Sequence, residues 1–112
     1  MTVSGYSARA SEDEGARHYL GMRIGRLPEL ARRGSLREMV VEMDRLRRIA
    51  DRHHLPCLSD IAHQVEALAA HGWSRTMAAH YFSAMDDALR IAPDDRAAQQ
   101  ALLASIAIHR GF

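Results

Sequence analysis

The fold is decided by the stretch SLREMVVEMDRLRRIADRHHLPCLSDIAHQVEALAAHG, residues 35–72. Ser35 and Glu38 have the S-x-x-E spacing of a capping box, which predicts a helix start. Apolar residues then recur at the i, i+3, i+4 and i+7 spacing of one helix face. Pro56 suits the first turn of a following helix, and Gly72 suits its C-terminal end. The stretch therefore predicts two helices joined by a tight turn at HHLP.

The flanking segments carry helix signals of the same kind, and no strand-type alternation competes with them. Further helices are expected over about Ser11 to Arg26, in the short PELARRG segment ending at Gly34, after a Ser74 cap, and after an Asp94 or Asp95 cap. Residues 1–10 are small and polar and are expected to be flexible. We predict an all-α fold, an antiparallel four-helix up-down bundle with an additional N-terminal helix, as a single domain over residues 11–112.

Composition narrows the function classes. Aromatic residues make up only 5% of the 112-residue chain, which favours helices over a β-sandwich or barrel. The formal net charge is +1 with no block of like charges, so a nucleic-acid-binding surface is not expected. No apolar run approaches the roughly 20 residues that span a bilayer, so no membrane partner is expected. The single cysteine, Cys57, and the lack of a secretory pattern predict a cytoplasmic location.

His63 is the residue that suggests a function. On a wheel of about 100° per residue it points roughly 160° away from the apolar stripe of its helix, so it should face water. Its expected neighbours on the helix surface are Ser59, Asp60, Glu66, Ala67 and Ala70. Most of them are small, so a protein partner could reach the imidazole. An imidazole nitrogen that is unprotonated near neutral pH is also a nucleophile suited to phosphoryl transfer.

The segment LSDIAHQVEAL resembles the signature of histidine-containing phosphotransfer (Hpt) domains, in which L-x-x-x-A-H leads into H-x-L-K-G. Leu58, Ala62 and His63 match the first part in spacing, and Val65 stands at the family's Leu. Ala67 stands at the family's small Gly. The resemblance covers about residues 36–89, and the Hpt-like part of the domain is expected over about 36–112.

The resemblance implies a phosphocarrier of bacterial two-component signalling, not a turnover enzyme, with no cofactor and no metal. Its partners would be a response-regulator receiver domain, a hybrid histidine kinase, or both. His63 would accept the phosphoryl group, and Ala67 and Ala70 would give access to it. Ser59, Asp60 and Glu66 would surround it as the rest of the docking patch.

Three alternatives to phosphotransfer stay open, namely an adaptor, a thiol catalyst and a small DNA-binding regulator, whereas a metal site is not expected. Glu66 stands where the family has a Lys, and an anion repels a phosphoryl group, which favours a non-phosphorylated helical adaptor that uses the same face. His53, His54 and Cys57 lie close in sequence but lack zinc-ligand spacing, so no metal site is expected. Cys57 at a helix start would have a lowered pKa, which is the basis of a thiol-catalysis alternative. A small DNA-binding regulator would require salt-sensitive binding to duplex DNA.

Overall fold

The computed structural model describes the backbone of residues 3–109 and the side chains of residues 12–107. Within that part of the chain there are six α-helices and no strand, so the prediction of an all-α fold is confirmed. The helices are α1 (Val3–Gly25), α2 (Leu27–Arg33), α3 (Leu36–Arg52), α4 (Pro56–His71), α5 (Arg75–Arg90) and α6 (Arg96–His109). Residues 1–2 and 110–112 lie outside the described residues.

Side-chain caps fix the start of three helices. Ser35, Ser74 and Asp95 each accept a hydrogen bond from the backbone N–H three residues further on, at 3.1, 3.3 and 3.0 Å. Such caps satisfy N–H groups that have no partner inside the helix. The predicted starts of α3, α5 and α6 are confirmed, with Asp95 and not Asp94 as the cap of α6.

The ends of α4 depend on backbone conformation. Pro56 is the first residue of α4, where the missing N–H costs nothing. The turn before it holds His54 in the left-handed region, with φ 57°. Gly72 ends the helix at φ 146° and ψ 95° and donates its N–H to the Leu68 carbonyl at 3.0 Å. The φ angle of Gly72 is one that side-chain-bearing residues rarely adopt.

The first helix is longer than its pattern predicts. α1 begins at Val3, whereas the sequence pattern places its start near Ser11. Of the segment 1–10, predicted to be flexible, residues 3–10 are helical, and residues 1–2 lie outside the described part of the chain. α1 ends at Gly25, and α2 follows after Arg26 as the short helix that the PELARRG segment predicts.

The core lies among four helices that include the first one. α3 and α4 share the most extensive contact, α4 packs on α5, and α1 closes the ring by contacting both α5 and α3. α6 packs on α5 and α4, and within the described residues it makes no contact with α3. Leu20 and Ile24 of α1 are buried, with 0% and 3% of their surface exposed. The helix expected to be an addition to the bundle therefore contributes to its centre.

Polar contacts also hold α1 to α3. Arg23 donates two hydrogen bonds to the Glu42 carboxylate, at 2.8 Å from Nε and 2.5 Å from Nη2. This bonding to Glu42 raises the pKa of Arg23. Nearer the other end of α3, His53 Nδ1 lies 2.8 Å from Asp13 Oδ1. Because a two-pronged pair fixes orientation as well as distance, Arg23 and Glu42 set the register between the two helices.

Candidate functional site

His63 lies in the middle of α4 with 67% of its side chain exposed. The opposite side of α4 faces the core, where Ile61, Ala62 and Val65 have no exposed surface. This buried stripe fixes the direction in which the imidazole points, because rotating the helix would expose the stripe to water. The structure thus places His63 on the water-facing side that the wheel predicts.

Four of the five predicted docking residues surround His63 without covering it. Asp60, Ala67 and Ala70 are exposed, and Ser59 is half-buried. All four lie three, four or seven positions from His63, the spacings that bring side chains together on one helix surface. The side chains of Ala67, Ala70 and Ser59 are short, so the imidazole of His63 extends beyond them into the solvent. This surface of α4, centred on His63, is referred to below as the His63 patch.

Glu66, the fifth predicted docking residue, lies between the patch and α3. Only 17% of its side chain is exposed. Its Oε1 lies 3.6 Å from Nε of Arg47, and its Oε2 lies 3.8 Å from Nδ1 of His63. The carboxylate therefore stands between a cation of α3 and the candidate phosphoacceptor, at ion-pair distance from both.

Arg47 in turn contacts a second acid on its own helix. Its Nη2 donates a hydrogen bond to Asp44 at 2.9 Å. That bond and the nearby Glu66 raise the pKa of Arg47, so the guanidinium stays charged. Arg47 Nε and Glu66 Oε1 are both shielded from water, and neither has a hydrogen-bond partner. Asp44, Arg47 and Glu66 thus form a chain of charged groups that leads from α3 to the imidazole of His63 on α4.

Sequence reasoning missed Arg47, although a signal for it exists. On the α3 wheel Arg47 lies roughly 70° from the centre of the buried stripe, on the flank of the helix. When two helices are joined by a tight turn, their flanks face each other across the contact. A cation on that flank of α3 and an acid on the flank of α4, such as Glu66, are candidates for a pair.

The residues considered for metal or thiol chemistry are not brought together as a site. His53 contacts Asp13 of α1, His54 is exposed in the turn, and Cys57 is buried. Within the described part of the chain, no group of three or more His, Cys, Asp or Glu side chains could hold a metal ion. The prediction of a lowered pKa for Cys57 is wrong, because burial, with a smaller effect of the Asp60 charge, raises it.

The raised pKa of Cys57 has a consequence for alkaline stability. The thiol of the unfolded chain ionises near pH 8.5, whereas the folded thiol stays neutral to higher pH. Between those two pKa values the unfolded state gains free energy by ionising, by up to about 1.4 kcal/mol per pH unit. Urea unfolding from pH 7.5 to 10 should show the wild type losing stability faster than Cys57→Ala. Parallel pH profiles would contradict this expectation.

None of the described helices combines the length and the apolar character that crossing a membrane requires. Comparison of the chain with protein-family models, with curated proteins and with solved structures found no match.

Proposed function

We propose that this chain is an Hpt-like phosphotransfer protein, in which His63 passes phosphoryl groups to or from aspartates of response-regulator receiver domains. The observation that carries the proposal is the exposed imidazole of His63, 67% accessible in the middle of a rigid helix. A carrier has to present its nucleophile to another protein and hold it still while the partner approaches. Ala67 and Ala70 leave room for that approach.

The transfer needs only the imidazole and its partner. A nitrogen of His63 attacks the phosphorus of an aspartyl phosphate, and the bond from phosphorus to the carboxylate oxygen breaks. The products are a phosphohistidine and a free aspartate, and the reverse reaction passes the group onward. The carboxylate of Glu66 lies 3.8 Å from Nδ1, so Nε2 is the ring nitrogen farther from that negative charge and is the better placed to attack.

The Arg47 contact weakens the objection that Glu66 repels phosphoryl groups. Glu66 is mostly buried and its Oε1 lies 3.6 Å from the Arg47 guanidinium. A cation at that distance offsets part of the negative charge felt at His63, and Asp44 shares the same cation. The sequence places an anion beside His63, and the fold supplies a cation behind it.

The proposal extends to the arrangement of the helices and to the compartment. The connections from α3 to α4 and from α4 to α5 are short, which supports antiparallel neighbours in an up-down bundle. The single cysteine is free and buried, which fits a reducing cytoplasm where a receiver domain or a hybrid histidine kinase would be met.

A non-phosphorylated helical adaptor is the second candidate, and Glu66 is the observation that favours it. No cation of α4 itself stands beside His63 within the described residues, and the acid closest to the imidazole is Glu66. A protein that binds its partner through the same patch without chemistry has no need of a neighbouring cation. The two candidates differ in one measurable property, the covalent phosphate.

The test is intact-mass analysis after incubation with phosphoramidate. His63 attacks the phosphorus, the P–N bond of the donor breaks, and ammonia leaves. We expect the wild type to gain the mass of one phosphoryl group, which acid removes. His63→Ala is expected to gain none while keeping its helical circular dichroism, because exposed substitutions cost within about 0.5 kcal/mol.

His71→Ala is the matched control for this test. His71 is an exposed histidine at the end of the same helix. It should be phosphorylated to the same extent as the wild type. Absence of phosphate on the folded wild type, or equal phosphate on His63→Ala, would overturn the phosphotransfer proposal and leave the adaptor. A pull-down with receiver domains, comparing wild type with Ala67→Arg, would then test the patch as a docking surface.

A further inference from the structure

A groove runs between α5 and the segment where α1 gives way to α2, away from the residues of the His63 patch. Its volume is about 540 Å³, within the roughly 300–1,000 Å³ typical of small-molecule sites. Ile24 and Phe82 form its buried floor, and Gly25, Pro28 and Ala79 lie at its open side. The lining is mostly apolar.

The groove is open because several of the residues that line it have no side chain or only a methyl group. A Cβ added at Gly25 would meet no atom within 4 Å. Ala31 on the α2 side and Ala78 and Ala79 on the α5 side contribute one methyl group each. Larger side chains at these positions would fill the space, whereas the floor residues would stay where they are. The groove can therefore be closed by substitution at its rim without touching the core.

The two ends of the groove differ in charge. Arg75 begins α5, and Asp86 lies eleven positions later, which is about 16 Å along a helix. The Asp86 carboxylate accepts a hydrogen bond from Arg90 at 2.9 Å, so its charge is already balanced. Arg75 has no hydrogen-bond or ion-pair partner among the described residues. One end thus has an unmatched positive charge, and the other end has none to offer.

A second arginine lies toward the Arg75 end. A Cβ at Gly21 would lie 3.6 Å from Leu89, so α1 meets α5 near the end of α5. α2 follows α1 and also contacts α5, and its residues therefore lie toward the start of α5. Arg32 of α2 lines the groove and pairs with Glu29 on its own helix. The cation free to meet a ligand is consequently Arg75.

We propose that this groove binds a linear fatty acid, with its alkyl chain along the apolar floor and its carboxylate beside Arg75. An apolar channel with one unmatched cation at its end selects a ligand with an apolar tail and one anionic head. The balanced Asp86 at the far end offers nothing to a cationic head group. A partner helix is 10–12 Å wide and would leave most of its surface outside a space of about 540 Å³.

The test is isothermal titration calorimetry with decanoate below its micelle-forming concentration. We expect saturable binding of one decanoate per chain. Gly25→Leu should weaken it at least about tenfold, because the new side chain occupies the space of the alkyl chain. Gly15→Leu is the matched control, since Gly15 also has open space around it but does not line the groove. It should bind as the wild type does.

The charge is tested separately from the groove. Arg75→Gln should weaken decanoate binding about fivefold or more, through the loss of a charge-assisted contact. Decylamine, with the same chain and the opposite charge, should bind at least about tenfold more weakly than decanoate. Arg52→Gln, at an exposed arginine of α3, removes the same charge away from the groove and should change nothing.

Several results would overturn the proposal. They are the absence of saturable decanoate binding to the folded wild type, equal weakening by Gly25→Leu and Gly15→Leu, and equal binding of decylamine. If Gly25→Leu does not fold, Ala79→Leu closes the groove from the α5 side at an exposed position. A wild type that ignores decanoate but dimerises, with the dimer lost in the groove-filling variant, would identify a second copy as the occupant.

Discussion

Leu20→Ala is expected to lower the free energy of unfolding by about 2–5 kcal/mol, as measured by urea denaturation. Leu20 lies on α1 and has no exposed surface. The exchange removes three carbons from a side chain of the hydrophobic core and leaves a cavity there. The loss is a large fraction of the total, because the free energy of unfolding of a domain is only about 5–15 kcal/mol.

Met22→Ala is the control for Leu20, because it changes an apolar side chain on the same helix that is 46% exposed. It should cost less than about 0.5 kcal/mol.

A chain that begins at Ser35 tests the same point by deletion. Without α1, the ring of helices is open between α3 and α5, and a cooperative unfolding transition is not expected. If that shortened chain folded with wild-type stability, or if Leu20→Ala cost no more than Met22→Ala, α1 would be an accessory helix after all.

Gly72→Ala is expected to lower the free energy of unfolding by about 1–3 kcal/mol, because it forces a side chain into a conformation suited to glycine. Gly72 has φ 146° and ψ 95° at the end of α4. A Cβ there would meet no atom within 4 Å, so the whole cost comes from the backbone and none from a clash. Thermal or urea unfolding would measure it.

Gly15→Ala gives the opposite sign and serves as the control. Gly15 lies inside α1, and a Cβ there also has open space around it. Alanine is the better helix former, so this variant should gain about 0.5–1 kcal/mol. If both substitutions changed stability in the same direction, the difference in backbone conformation between the two glycines would not be what matters. The pair separates strain from propensity because both exchanges add the same methyl group.

Much of the secondary structure could be predicted because its causes are local. The hydroxyl of Ser35 is three residues from the N–H it caps, and Pro56 and Gly72 act through their own backbone angles. In each case the residue and the backbone group on which it acts are close together in the sequence. The start of α1 escaped prediction because the small residues before Ser11 give a weak helical pattern in the sequence.

The parts that could not be predicted depend on contacts between distant segments. Leu20 is buried on α1, and the helix with which α1 makes its most extensive contact, α5, lies far along the chain. In the candidate site, the exposure of His63 follows from its own helix and could be predicted from a wheel. The orientation of Glu66 could not, because it depends on Arg47 of another helix. The wheel of α4 places the Glu66 carboxylate in the solvent, whereas in the structure it lies mostly buried beside Arg47 of α3.

The place of α1 in the ring also governs the order of events during synthesis. The α3–α4 pair joins neighbouring segments and can form as soon as both have left the ribosome. α1 is made before α3, α4 and α5, yet its most extensive contact is with α5, so its packing is complete only once α5 has emerged. For that interval the apolar side chains of Leu20 and Ile24 lack the packing that α5 gives to α1, and exposed apolar surface of this kind is bound by chaperones. α1 therefore completes its packing after the α3–α4 pair has formed, although it precedes both of those helices in the chain.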